Sequence, residues 1–246
     1  MIETKPFHWS FYAFVPVTLV MLFLDSKWLL AQGLNGQMLD NILVPLYCYA
    51  MYRTMPDERL KKIMLLTIPV SAVGEVILSM GIELYTYKFG YVPIYVPFGH
   101  AIVIGSGFQL LWRAGVHERA GVIINRFLVL YAALFFGVFL IFGDSFTVLL
   151  GLLFFIGVFA MKQRVIYMFM PIFVLFVEFV GTAFGCWSWS PRPFGFLSAT
   201  NPPVGSVMFY VYLDIIVMML GSVWMADRWT RTIHGKPTVR IEEDAV

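Results

Sequence analysis

Long apolar runs recur along this chain, and they restrict it to very few folds. Residues 148–160 are thirteen successive uncharged residues, and they do not alternate between polar and apolar as the strands of a membrane barrel do. Only helices and closed barrels can span a bilayer, so these runs indicate helices. A spanning helix needs roughly 20 apolar residues. Eight segments are predicted to form such helices, at 10–29, 38–54, 61–82, 94–113, 121–142, 145–162, 164–186 and 204–226.

The composition is typical of multi-pass membrane proteins. Hydrophobic residues make up 60% of the 246 residues and charged residues only 13%, whereas a soluble domain carries about 25% charged residues. The expected fold is therefore an all-α integral membrane protein with about eight transmembrane helices. We expect it to lie in a bacterial inner membrane.

The distribution of basic residues predicts the orientation in the membrane. With eight spans, one side holds both termini and every second loop, and 14 of the 17 Lys and Arg residues fall on that side. The other side holds only Lys27, Lys88 and Arg192. Because cytoplasmic loops carry an excess of Lys and Arg, both termini are predicted to be cytoplasmic.

The chain also shows a pattern of internal duplication. In each half, a proline inside an apolar run precedes a glutamate, two aromatic residues and a Pro-x-Gly. The first half supplies Pro69, Glu75, Tyr85, Tyr87 and Pro97–Gly99, and the second supplies Pro171, Glu178, Trp187, Trp189 and Pro203–Gly205. An Asp-Ser follows an apolar run in each half, at Asp25 and Asp144, where a helix cap or turn is expected. We predict two parallel four-helix repeats, 1–114 and 115–233, and a polar cytoplasmic tail, 234–246.

Three carboxyl groups are predicted to lie within the membrane. Glu75 and Glu178 occupy matching places in the two halves, and Asp214 lies near the middle of the last helix. An ionisable residue inside a spanning helix costs about 2.5–3.5 kcal/mol on insertion scales, so it usually faces the bundle interior and has a function. A carboxyl group buried without a cation is more easily protonated and can then donate its proton. The alternative is a neutral acid that hydrogen-bonds neighbouring helices together.

His100 is the one histidine that the sequence places within the membrane. It could act as a general base or as a partner of Glu75, or it could bond only to the loop backbone at the start of its helix. Gln109, further along the same helix, is a candidate substrate-binding residue that is expected to lie roughly opposite Asp214.

Four aromatic residues in the two long non-cytoplasmic loops could cover a substrate cavity. They are Tyr85, Tyr87, Trp187 and Trp189. Aromatic faces stabilise a cation by about 0.5–2 kcal/mol each, which would suit a carbocation. The alternative is an interfacial aromatic belt at headgroup level. Prolines in both loops predict extended or re-entrant backbone.

The sequence argues against several other classes of protein. Every lysine falls in a loop, in a tail or at the end of a predicted helix, which excludes a retinal Schiff base, and one intramembrane histidine cannot supply a membrane di-iron centre or a bis-histidine haem. The chain has no Walker A, Gly-x-Ser-x-Gly or His-Glu-x-x-His motif, and its two cysteines lack metal-ligand spacing. No metal and no cofactor are expected, and nothing indicates nucleic-acid binding.

The segment from Glu178 to Trp189 reads Glu-Phe-Val-Gly-Thr-Ala-Phe-Gly-Cys-Trp-Ser-Trp, and residues 75–87 are its counterpart. With the helix count and the intramembrane acids, it resembles membrane-embedded isoprenoid-modifying enzymes of the lycopene cyclase, carotenoid hydratase and fungal transmembrane terpene cyclase types. The resemblance implies that buried carboxyl groups protonate a double bond without a metal. The chain lacks the Pro-x-Glu-Glu/Asp pairs of lycopene cyclases, and it has more helices than the fungal cyclases.

The favoured hypothesis is a membrane enzyme for acid-initiated cyclisation, isomerisation or hydration of a lipid-soluble alkene such as an isoprenoid or carotenoid. Glu75 and Glu178 would be the acid and base, Asp214 a third acid or electrostatic stabiliser, and His100 would tune Glu75. The alternative is a proton-coupled transporter or lipid-binding protein with the same carboxyl groups at its central site. A third reading is a small assembly partner whose acids meet another subunit. Membrane lipids are expected to surround the chain under every reading, and the oligomeric state stays open.

Overall fold

Helices dominate the computed structural model, which describes residues 8–111, 120–161 and 165–224. Eight α-helices have 16 residues or more, namely α1 (Trp9–Leu24), α3 (Gly36–Thr54), α4 (Glu58–Glu75), α5 (Tyr95–Leu111), α6 (Ala120–Phe142), α7 (Ser145–Ala160), α8 (Ile166–Ala183) and α9 (Val207–Trp224). A short helix, α2 (Lys27–Ala31), follows α1, and a π-helical segment (Val76–Gly81) continues α4. Each long helix overlaps one predicted segment. The predicted tail, 234–246, and the boundary between the predicted repeats lie outside the described residues.

Five helices in the described part of the chain are long and apolar enough to cross a membrane. They cover Trp9–Ala31, Glu58–Gly81, Gly121–Phe142, Ile166–Ala183 and Val204–Gly221. Large apolar side chains on the outside of the bundle are exposed, as Ile141 illustrates with 74% exposure, and lipid contact would cover such a surface. These features agree with the prediction of a multi-pass helical membrane protein.

The other three predicted spans form helices that are shorter or more polar. α7 has 16 residues, so at 1.5 Å per residue it is about 24 Å long, less than the roughly 30 Å of a hydrocarbon core. α3 carries Gln37, Asp40 and Asn41 in its first two turns. α5 has 17 residues and begins only at Tyr95.

Four helices form the centre of the bundle. α4 packs against α5 and α9, and α8 also packs against α5 and α9, so the four helices make a closed ring. α1 and α3 lie against α5. α6 and α7 pack against each other, and α6 also contacts α8 while α7 contacts α9. α5 and α8 approach closely because Gly107 has no side chain: a Cβ there would lie 2.0 Å from Sδ of Met170.

The two long loops meet in a small antiparallel sheet, which the all-α prediction did not include. β1 (Tyr85–Tyr87) pairs with β2 (Trp187–Trp189), and Thr86 lies opposite Ser188 at the centre. Alternate side chains of a strand face opposite sides, so Thr86 and Ser188 are exposed while the four aromatic side chains are buried. We call β1 and β2 the aromatic sheet. The loops are therefore extended in these segments, as expected, but they pair with each other.

Candidate functional site

Glu75 is the last residue of α4, and its side chain is buried under the aromatic sheet. Tyr85 and Tyr87 both donate a hydrogen bond from the hydroxyl to Oε2 of Glu75, each at 2.6 Å. Nε2 of His100 lies 2.8 Å from Oε1 of the same carboxyl group. Each oxygen of this buried carboxyl group therefore has a partner.

Glu178 is the corresponding buried acid on α8. Trp187 and Trp189 each donate a hydrogen bond from the indole Nε1 to Oε2 of Glu178, both at 3.0 Å. A further side-chain hydrogen bond joins Glu178 to Tyr210 of α9. Because an indole N–H can only donate, Oε2 of Glu178 must be an acceptor here.

The register of the aromatic sheet holds the two carboxyl groups near each other. Tyr85 on one strand faces Trp189 on the other, with 4.7 Å between the ring centroids. Glu75 and Glu178, which accept hydrogen bonds from these two rings, are close enough to interact electrostatically. Each carboxylate therefore disfavours ionisation of the other.

His100 and Tyr210 make a second connection between the two carboxyl groups. The imidazole of His100 stacks on the phenol ring of Tyr210, with 4.8 Å between the centroids and 26° between the planes. His100 contacts Glu75 and Tyr210 bonds to Glu178, so the stacked rings span the gap. Nδ1 of His100 is buried and has no hydrogen-bond partner within the described residues.

A largely apolar cavity of about 160 Å³ lies beside these residues. Its polar lining includes Glu75, His100, Glu178, Ser206, Tyr95, Tyr210 and the four aromatic residues of the sheet, together with Thr18, Tyr47 and Ser71. The rest of the lining is mostly aliphatic and aromatic and comes from α1, α3, α4, α5, α8 and α9. The volume accommodates several water molecules, at about 10–15 Å³ each, or a short segment of an apolar molecule.

The tyrosines of the aromatic sheet are held in their neutral form. Burial above all, and then the neighbouring Glu75 carboxylate, raise the pKa of Tyr85 well above its ordinary value. The same two causes raise the pKa of Tyr87. Both hydroxyl groups therefore keep their protons and remain donors to Glu75.

The ring of Trp187 occupies space that only a glycine leaves open. A Cβ at Gly181 would lie 1.9 Å from the nearest carbon of the Trp187 ring. Gly181 follows Glu178 by three residues on α8, so the ring packs beside the carboxyl group to which it donates. The absence of a side chain at Gly181 is thus a condition for the hydrogen bond between Trp187 and Glu178.

Two of the predicted site residues do not belong to the cavity lining. Asp214 is buried within α9, and its Oδ2 has no hydrogen-bond partner among the described residues. Gln109 accepts a hydrogen bond from the backbone N–H of His8 at 3.1 Å and donates one to Oγ of Ser10 at 3.0 Å. It therefore ties α5 to the start of α1. The chemical roles considered for Asp214 and Gln109 stay predictions.

Sequence reasoning missed three tyrosines that line the cavity, Tyr47, Tyr95 and Tyr210. Tyr210 precedes Asp214 by one helical turn, and this spacing on one face of α9 is the signal that could have revealed it. Asp25 also does more than form the turn after α1, because its carboxylate pairs with Lys88 and accepts a hydrogen bond from Tyr95. Nothing in the spacing of these three residues indicates that contact.

Within the described residues, no group of three or more His, Cys, Asp or Glu side chains is arranged to hold a metal ion. No protein-family model matches the chain, and no curated protein or solved structure matches it either. Because a fold alone does not imply a function, the function has to be argued from the chemistry of the site.

Proposed function

We propose that this chain is an integral membrane enzyme for acid-initiated cyclisation, isomerisation or hydration of a lipid-soluble, isoprenoid-like alkene. One observation carries the proposal: Glu75 and Glu178 both line an apolar cavity, and each is held by two aromatic donors from one sheet. An alkene offers no polar group to bind, so an apolar cavity with a proton donor in its wall fits such a substrate.

The acid in this proposal is the pair of Glu75 and His100. Because Nε2 of His100 and Oε1 of Glu75 are 2.8 Å apart, a proton between them can lie on either atom. When the pair gives this proton to one alkene carbon, the π electrons form the new C–H bond and the neighbouring carbon becomes a cation. The tyrosine hydroxyls on Oε2 of Glu75 stabilise the carboxylate that remains.

The carbocation would be stabilised by its surroundings in the cavity. Rings of the aromatic sheet stabilise a cation by about 0.5–2 kcal/mol each, and the carboxylates place negative charge close to where the positive charge develops. Asp214 lies one turn from Tyr210 on α9 and would add an electrostatic contribution from within the bundle.

Glu178 is the base in this proposal. Removal of a proton from a carbon beside the cation by Glu178 forms a new double bond and gives the cyclised or isomerised alkene. In a hydration, a water molecule forms the C–O bond and Glu178 takes up the proton that this water loses. In each case one proton leaves the pair of Glu75 and His100 and one arrives on Glu178.

We further propose that residues 1–114 and 115–233 are parallel repeats with cytoplasmic termini in a bacterial inner membrane. The pairing of β1 with β2 is centred on Thr86 and Ser188. The aromatic residues of each strand donate hydrogen bonds to the glutamate of their own half. α4 of the first half packs against α9 of the second, and α8 of the second half packs against α5 of the first. These two contacts are equivalent, because α4 corresponds to α8 and α5 corresponds to α9. The excess of Lys and Arg on one side supports the orientation.

The first test compares lipid extracts by mass spectrometry. Cells that express the wild type would be compared with cells that express Glu75→Gln or Glu178→Gln, with membrane insertion verified for each variant. Glu83→Gln is a matched control, because Glu83 lies in the same loop as β1 but is exposed. We expect the wild type and Glu83→Gln to convert a lipid into an isomer or into a product with one added water. Neither of the other variants should do so.

The proposal fails if a lipid that changes with the wild type changes equally with both glutamate variants. It also fails if no lipid differs between the wild type and cells without the protein, provided that the cells contain isoprenoid alkenes.

A second candidate function is proton-coupled transport or binding of an apolar molecule. The observation that favours it is the proton-sharing contact between His100 and Glu75 in the cavity wall, because buried acids and histidines form proton relays in transporters. If lipid profiles stay unchanged, uptake into proteoliposomes with and without a pH gradient becomes the deciding measurement. Uptake that depends on the gradient and is lost in Glu75→Gln would establish transport.

A further inference from the structure

A second buried group of ionisable residues lies beside the aromatic sheet. Lys88 directly follows β1, and its Nζ lies 2.8 Å from Oδ1 and 2.6 Å from the backbone oxygen of Asp25. Tyr95 donates a hydrogen bond from its hydroxyl to Oδ2 of Asp25 at 2.7 Å. The side chains of Lys88 and Asp25 are only 3% and 0% exposed. They form an ion pair that is shielded from solvent.

Asp40 adds a second carboxyl group to this cluster. It lies on α3, is fully buried, and has no hydrogen-bond partner for either carboxyl oxygen within the described residues. It interacts electrostatically with Asp25 and Lys88, and also with Tyr95 and Cys186. These four residues are the ionisable groups around it in the described part of the chain.

One lysine cannot neutralise two carboxylates in such dry surroundings. The hydrogen bonds place Lys88 on Asp25, which also accepts from Tyr95, so Asp25 is the ionised member. An ionised carboxylate at Asp40 would be buried without a counter-charge or a hydrogen bond of its own, which is strongly unfavourable. Asp40 therefore holds a proton.

Tyr95 connects this cluster to the cavity. Its hydroxyl bonds to Asp25, while its side chain lines the cavity that holds Glu75. Tyr95 also interacts electrostatically with Tyr87, which donates its hydroxyl proton to a hydrogen bond with Glu75. Ionisable groups that interact either by hydrogen bonds or electrostatically thus lie between Asp40 and Glu75.

We propose that Asp40, Asp25 and Tyr95 form a proton-exchange route that reloads Glu75. This inference rests on the proposed function, because each turnover there removes one proton from the pair of Glu75 and His100. A water molecule carries the proton of Asp40 to the Asp25 carboxylate, because neither oxygen of Asp40 bonds directly to Asp25. The hydroxyl of Tyr95, which donates to Asp25 at rest, turns to the cavity and gives its proton through cavity water to Glu75. Its oxygen then takes the proton from Asp25, so the tyrosine ends unchanged. Asp40 then regains a proton from water.

Infrared spectroscopy of the purified full-length protein tests both parts of the route without any lipid substrate. The variants are Asp40→Asn and Tyr95→Phe, with Glu58→Gln as the control, because the side chain of Glu58 is 74% exposed at a surface ion pair. Thermal unfolding would first establish that each variant folds. The carboxylate band of Glu75 is identified by its loss in Glu75→Gln.

One result is expected at neutral pH and a second after a rapid drop in pH. At neutral pH, a carboxylic acid C=O band that shifts in deuterated water should be present in the wild type and Glu58→Gln but lost in Asp40→Asn. After the drop, protonation of Glu75 should slow roughly tenfold or more in Asp40→Asn and Tyr95→Phe. An unchanged acid band in Asp40→Asn, or an unchanged rate in Tyr95→Phe, would overturn the inference.

Tyr95→Phe keeps the ring and all apolar contacts, so the rate measurement remains decisive even if Asp40→Asn does not fold. Because no lipid takes part, the infrared experiment can contradict the proton route while the lipid-extract experiment supports the proposed function. It can equally support the route while the lipid-extract experiment contradicts the proposed function.

Discussion

Tyr85 and Trp189 face each other across the aromatic sheet with 4.7 Å between their ring centroids, yet they hydrogen-bond to different glutamates. Tyr85 donates to Glu75 on α4, and Trp189 donates to Glu178 on α8. One pair of short strands therefore positions both carboxyl groups, so a change on either strand is expected to affect the whole site.

Tyr87→Phe keeps the aromatic ring and removes one of the two donors to Oε2 of Glu75. A hydrogen bond to a charged group contributes about 1.5–3 kcal/mol, and because Tyr85 still donates to the same oxygen, we expect a loss near the lower end of that range. The measurement is denaturant or thermal unfolding in micelles. Tyr49→Phe is the control, because Tyr49 is 59% exposed. Equal stability of the two variants would mean that the Tyr87 hydroxyl does not stabilise the fold.

The stability of the protein should fall as the pH rises above about 10. Burial and Glu75 raise the pKa of Tyr85 and Tyr87 above the ordinary value of 10.0, so above that pH the unfolded chain loses protons that the folded chain keeps. Their contribution is fully present below pH 10 and is lost toward the higher pKa of the folded state. Unfolding measured as a function of pH checks this. The double variant Tyr85→Phe, Tyr87→Phe should show a shallower fall than the wild type.

Gly181→Ala should displace the ring of Trp187, because the added Cβ would lie 1.9 Å from a ring carbon. Overpacking of this kind typically costs about 1–3 kcal/mol, and the hydrogen bond from Trp187 to Glu178 should be lost as well. Unfolding and tryptophan fluorescence would be measured together. Gly137→Ala on α6 is the matched control, since a Cβ there meets nothing within 4 Å. A Gly181→Ala protein with unchanged fluorescence and stability would contradict the packing described here.

His100→Gln tests the proton held between His100 and Glu75. Glutamine can still donate a hydrogen bond to Oε1 of Glu75 but cannot carry a transferable proton at neutral pH. If the pair is the acid, we expect lipid conversion to drop by about 10²–10⁴-fold while the unfolding free energy changes little. If the variant converts lipid at the wild-type rate, a group other than the pair of His100 and Glu75 is the acid. If the variant does not fold, His100 has a structural role.

Much of the helical framework was predictable because hydropathy is a property of contiguous residues. Each predicted segment corresponds to a long helix, although the span predicted at 61–82 divides into α4 and the π-helical segment Val76–Gly81. That change of winding directly follows Glu75, and π-helical turns are frequent near functional residues. Hydropathy carries no information about which winding a helix adopts, so this feature was missed.

The candidate site was predictable only as a set of residues. The matching positions of Glu75 and Glu178 in two similar halves singled out these carboxyl groups, and the expectation that His100 could be a partner of Glu75 corresponds to a real contact. Gln109, chosen for its depth in a helix, instead joins α5 to α1. Depth along a helix does not reveal which face a side chain occupies.

Apolar run length and the ionisable residues within those runs were enough to indicate a multi-pass helical chain with acids in its interior, because a bilayer imposes these requirements on local sequence. The partners of those acids depend on contacts between residues far apart in the chain. The pairing of β1 with β2 joins segments about a hundred residues apart. The ion pair of Asp25 and Lys88 also joins two residues that are far apart in the chain. Such contacts form only when helices pack, because packing alone brings the donors of two loops onto the carboxyl groups of two helices.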